Sequence, residues 1–156
     1  MEDIFEKQSA DFLKKVTYTA TDLLVPYTNN ARTHSDKQIE QIARSIKRFG
    51  FNNPILVDHN NVVIAGHGRL LAAKKLGLDK VPTLKLEHMS EKDKKAYILA
   101  DNKLAENAGW DHQILKLELG GLIEFDTDFD LTITGFSTPE IDLIFHEDPN
   151  SELGET

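Results

Sequence analysis

The chain has 156 residues, 40% of them hydrophobic, a formal net charge of −8 and no cysteine. That supports one domain with its own core and excludes disulfides and thiolate chemistry. No run approaches the roughly 18 apolar residues of a membrane span and Met1-Glu2-Asp3-Ile4 is no signal peptide, so the chain reads as soluble and cytoplasmic. The charge is uneven: residues 1–110 hold 17 Lys/Arg against 14 Asp/Glu, whereas residues 111–156 hold Lys116 against 12 Asp/Glu. An acidic end repels the phosphate backbone, so direct contact with nucleic acid would fall to the first 110 residues.

Residues 1–14 mix charges with Ile4, Phe5, Phe12 and Leu13 and read as an N-terminal arm. Val16 to Thr19 alternates as a first strand, and Asp22-Leu23-Leu24 is a brief helical turn. Tyr27 to His34 is a polar loop. Ser35 to Arg48 is the clearest helix. Ser35 with Gln38 makes a capping box, and Asp36 adds an acid to the first turn. Ile39, Ile42, Ala43, Ile46 and Phe49 recur at helical spacing before Gly50 ends the run. Lys37, Arg44, Lys47 and Arg48 take the remaining surface, either as a solvated face or as a nucleic-acid contact.

Pro54 to Val57 and Val62 to Ile64 are short strands joined by Asp58-His59-Asn60-Asn61, a hairpin. It feeds Gly66-His67-Gly68-Arg69, which turns into an Ala/Leu/Lys helix ending at Gly77. Val81 to Leu86 is another strand, with Pro82 suggesting its start or an edge. Ser90 and Asp93 cap a long helix from Glu91 to about Asn107. Asp111 to about Ile123 is a further helix, and Ser137 and Glu140 cap a last short one. Residues 147–156 read as an acidic linker or tail. The order β–α–β–β–α–β–α predicts a small α+β domain over 15–110, with an acidic helical extension over 111–146.

The glycine turn carries the strongest chemical signal. A strand entering a helix through glycines gathers unpaired N–H groups and the positive helix end at one spot, which suits a phosphate. Arg69 is a cation where the dipole disfavours one, unless an anion sits beside it. The alternative is a turn shaped only for strand–helix packing. Asp101, four residues after Tyr97 and three before Leu104, falls on or beside the apolar helix face. It is either paired with a neighbouring Arg or holds Mg²⁺ before a nucleotide's phosphates, with Asn102 beside it. His34, His59, His67, His88, His112 and His146 show no zinc-site spacing. Walker A and Gly-x-Ser-x-Gly patterns are absent.

From about Val16 to Asn107 these stretches resemble the N-terminal domain of the ParB family, which shares its fold with sulfiredoxin. Gly66-His67-Gly68-Arg69 stands where the family has Gly-Glu-Arg-Arg, the loop ending at Arg32 corresponds to its first box, and Asp101-Asn102 stands for Glu-Asn. Asn-Ala-Arg-Thr-His-Ser, Ile-Ala-Gly-His-Gly-Arg and Leu-Ala-Asp-Asn-Lys-Leu-Ala-Glu-Asn-Ala-Gly-Trp-Asp resemble most the branch that precedes DNA modification methylases in phages and bacterial mobile elements.

The resemblance implies a mixed sheet packed with helices and a regulatory site for Mg²⁺ and a nucleoside triphosphate, ATP or CTP. Gly66, His67, Gly68, Arg69, Asn30, Arg32, Thr33, His34 and Asn102 would bind the nucleotide, the Asn29–His34 loop would close over it, and Asp101 would hold the metal. It also implies a DNA methyltransferase module or subunit as partner, DNA reached directly or through that partner, and a homodimer. Two alternatives stand beside it. One is a metal-dependent phosphotransferase, NTPase or nuclease with Asp101 or His67 as catalytic residue. The other is a protein-interaction module whose acidic helices dock a basic methylase.

The departures narrow these expectations. His67 and Gly68 replace the family's Glu and first Arg, so CTP preference does not carry over. The sulfiredoxin cysteine and the methylase Asp-Pro-Pro-Tyr motif are absent, and no helix-turn-helix is evident after Asp111. The chain is then either a fragment of a larger methylase or a free-standing subunit.

Overall fold

The computed structural model describes residues 16–146; the N-terminal arm and the acidic tail lie outside them. The chain divides into two compact units, Met1–Ala105 and Glu106–Thr156. The first contains strand β1 (Thr17–Ala20), a 3-10 turn (Thr21–Leu23), helix α1 (Asp36–Phe49), strands β2 (Ile55–Val57) and β3 (Val63–Ala65), helix α2 (His67–Lys75) and strand β4 (Lys80–Lys85). Helix α3 (Glu91–Glu106) follows. The expected order of elements is the observed one.

The four strands form one mixed sheet in the order β1-β4-β2-β3. β4 runs antiparallel to β1 and parallel to β2, so it is central, which corrects the edge suggested by Pro82. Pro82 lies opposite Tyr18, one residue before the pairing with β2 begins at Thr83. Its missing N–H therefore meets a neighbour on one side only. Ile55, Val57, Val63 and Val81 are fully buried and join Leu24, Leu70 and Ala73 in the core of this unit.

Local chemistry sets the helix ends. Ser35 Oγ accepts from Gln38 N–H at 3.1 Å, and Gly50 closes α1 at φ +93° while donating to Ile46 O. The other half of the expected capping box is differently used: Gln38 Oε1 pairs with His34 Nδ1 at 3.1 Å. Ser90 Oγ accepts from Asp93 N–H at the start of α3.

In the second unit, α4 (His112–Phe125) is capped by Asp111, and α5 (Thr138–His146) by a reciprocal Ser137–Glu140 box. With a 3-10 turn (Leu131–Thr134) they enclose Leu115, Leu119, Leu131, Ile141 and Ile144. Among the described residues, no helix is long and apolar enough to cross a membrane.

Candidate functional site

The hairpin delivers β3 to Gly66, which caps α2 at φ +104°, a left-handed conformation that favours glycine. No side chain caps this helix, and its first intrahelical acceptance is Leu70 N–H to Gly66 O at 2.9 Å. The N–H groups of the first turn therefore have no intrahelical partner. A Cβ on Gly66 would stand 2.9 Å from Arg69 Nη2, so the glycine also makes room for the guanidinium folded back over it.

Arg69 is half-buried. Nη2 donates to Pro54 O at 3.0 Å, while Nε is buried with no hydrogen-bond partner. Burial pushes its pKa down, and the nearby charge of Asp101 pushes it back up. A cation beside a positive helix end, short of hydrogen-bond acceptors, is electrostatically matched to an anion.

The second glycine answers to packing. A Cβ on Gly68 would meet Ile42 Cδ1 at 2.9 Å and His34 Cε1 at 3.0 Å. The space that a side chain at 68 would occupy is thus taken by α1 and by the loop before it. His67 Nε2 accepts from Tyr27 N–H at 3.3 Å, so a ring lone pair tethers the polar loop to α2. Burial, and then the charge of His34, lower the His67 pKa; both effects favour the neutral ring that this bond requires.

These groups line one cleft of about 610 Å³. Asn30, Arg32, His34, Gly66, His67, Gly68, Arg69, Asp101 and Asn102 all border it. Thr33 is exposed and is not among the residues lining it. Against the expectation of a position on or beside an apolar face, Asp101 is exposed, and Leu104 on the same helix is 68% exposed. Asn102 Nδ2 donates to Ile98 O, which fixes its amide along the helix.

Among the described residues, no three His, Cys, Asp or Glu side chains cluster as metal ligands. The Asp101 carboxylate borders the cleft, and one carboxylate is compatible with Mg²⁺, which is commonly held by one or two carboxylates, phosphates and water. Sequence reasoning missed Phe49, Phe51, Asn52 and Asn53, which also line the cleft. The available signal is an aromatic-Gly-aromatic run followed by two asparagines, but helical spacing places Phe49 in the apolar stripe of α1. It is 54% exposed.

The ParB N-terminal domain model matches residues 6–103, and the ParB-methyltransferase HTH domain model matches residues 113–155. The second match corrects the expectation that no helix-turn-helix follows Asp111. That expectation rested on acidity, which governs what a surface attracts and not which helices form. The ParB-like nuclease domain-containing protein YnaK of Escherichia coli (strain K12) is 45% identical over 80 residues, 51% of this chain and 92% of that protein. The probable chromosome-partitioning protein ParB of Treponema pallidum (strain Nichols) is 31% identical over 110 residues, but only 34% of its length is covered. Among solved structures, C-terminally truncated ParB from Caulobacter crescentus complexed with CTP-gamma-S aligns at a TM-score of 0.70 and 20% identity, over 85% of this chain and 77% of that one. This last likeness speaks for the fold. On the match to residues 6–103 and the YnaK identity, the chain belongs to the ParB N-terminal domain family.

Proposed function

We propose that the first unit is a nucleotide-binding regulatory domain that acts on a DNA methyltransferase partner. The observation that carries the reading is Arg69, a half-buried guanidinium whose Nε is buried and unpartnered, at the start of α2 where no side chain caps the helix. A phosphate there would accept from backbone N–H groups of the first turn and neutralise the cation. Asp101, with Asn102 beside it, would hold Mg²⁺ against those phosphates, and the metal would offset their charge. The nucleotide class is carried over from the Caulobacter relative, which is complexed with CTP-gamma-S. The methyltransferase partner is carried over from the description of the model matching residues 113–155. DNA would then be reached through that partner.

Binding is favoured over turnover. The lone pair on His67 that a general base would need is engaged by Tyr27, which favours a loop-holding role for this residue. Isothermal titration with ATP, CTP and GTP in Mg²⁺ tests the reading. At least one should bind, and Arg69→Ala should weaken it by about 10-fold or more, the scale of a lost charge-assisted bond. No binding by any of the three, or an Arg69→Ala titration matching wild type, overturns it.

A further inference from the structure

Helix α3 brings Asp101 and Asn102 to the cleft, yet few of its side chains anchor it. Ile98 is its buried residue, while Leu99 and Leu104 are exposed. Nearer its start lies a buried ion pair. Lys94 Nζ is 2.8 Å from Asp58 Oδ2, with side chains 12% and 6% exposed. Asp58 is itself immobilised, because Oδ1 accepts from Asn60 N–H at 2.8 Å and Val62 N–H at 2.9 Å within the β2–β3 turn. Lys94 also reaches Glu91 at 2.8 Å.

The two oxygens of Asp58 therefore do different work: one closes the hairpin, and the other holds a helix 36 residues away. The same hairpin leads through β3 into Gly66. Asp101 stands seven residues beyond Lys94, about 10 Å along the helix axis, so a small tilt at Lys94 is carried to this cleft-lining carboxylate.

We infer that Asp58 and Lys94 are positioning residues for the site: their ion pair registers α3 on the hairpin and so sets Asp101 and Asn102 against the Gly66–Arg69 turn. What the site holds rests on the nucleotide reading; the registration of α3 does not, and the two are separable by experiment.

The chain has no cysteine, so Lys47→Cys on α1 and Ala105→Cys at the end of α3 give a clean spin-label pair. In this otherwise wild-type background the distance distribution should be narrow. Lys94→Met and, separately, Asp58→Asn should broaden or shift it, and Lys94→Arg should restore it. Asn at 58 keeps the oxygen that closes the hairpin and loses only the acceptor for Lys94, so it serves if Lys94→Met fails to fold.

Calorimetry on chains without the labels then reads ATP, CTP and GTP with and without Mg²⁺. The Mg²⁺-dependent gain in affinity should fall by about 10–100-fold in Lys94→Met, the usual effect of losing a group that orients a metal ligand. Metal-free binding should hold. An unchanged distance distribution in either folded variant overturns the inference, as does an equal loss of affinity with and without the metal. A wild-type chain that binds none of ATP, CTP and GTP overturns the nucleotide reading instead, and the spin-label distances still decide whether the pair registers α3.

Discussion

Gly68→Ala tests whether this glycine is there for packing or for ligand approach. Its Cβ would stand 2.9 Å from Ile42 Cδ1 and 3.0 Å from His34 Cε1, both inside normal contact. The His34 ring gives way poorly, because Nδ1 is held by Gln38 Oε1 at 3.1 Å. Overpacking of this kind costs about 1–3 kcal/mol. Alanine in a helix returns about 0.5–1 kcal/mol over glycine, and the net expectation is a loss of ~1 kcal/mol.

Ile42→Val removes the Cδ1 that clashes. Alone it should cost ~0.5 kcal/mol, the low end for this change at a partly buried site; on the Gly68→Ala background it should cost less or stabilise. The four chains form a double-mutant cycle with an expected favourable coupling of ~1 kcal/mol. Urea denaturation followed by far-UV circular dichroism supplies the numbers. A Gly68→Ala chain at least as stable as wild type, or a cycle with no coupling, refutes the packing account and returns Gly68 to the ligand.

Three further outcomes follow from the same geometry. Asp58 has its pKa held down: burial opposes the charge, but the Lys94 bond and the two backbone N–H groups outweigh it. A depressed carboxylate contributes stability above its unfolded pKa of about 3.9 and loses it as pH falls through the folded value. Asp58→Asn should therefore be ~3 kcal/mol less stable near pH 7, the low end for breaking a buried pair. The gap should close in acid, and a gap independent of pH down to pH 2 would count against the pairing. His67 should stay neutral in an NMR titration below the usual histidine midpoint near 6.5; titration at or above that value would remove the Tyr27 tether. Asp111→Ala should cost the second unit ~1 kcal/mol as a lost N-cap, read through Trp110, which packs on Phe136 at 5.2 Å. No shift in the fluorescence transition would mean that this cap contributes nothing.

What was legible in the sequence was local, and what was hidden was non-local. Ser35, Ser90, Asp111 and the Ser137–Glu140 pair announce helix starts because a cap acts within three residues. The glycine turn was legible for the same reason. Asp58 looked like ordinary turn chemistry, and half of it is; its other oxygen serves Lys94, and no spacing rule connects positions 36 residues apart. The spacing of Asp101 from Tyr97 and Leu104 puts it on or beside the apolar face, but Leu104 is exposed, so the reference for that face is wrong.

Gly68 shows most clearly how the structure changes a sequence argument. As a letter it marks a cation missing from the family's Gly-Glu-Arg-Arg turn. In the fold, an arginine could not stand there without displacing His34 and Ile42, and His34 itself borders the cleft. The absence of a side chain at 68 and the presence of the His34 ring are one packing solution. Restoring an arginine at 68 alone would break that packing before it could bind a phosphate. Any gain in affinity from such a change should therefore require smaller residues at both 34 and 42.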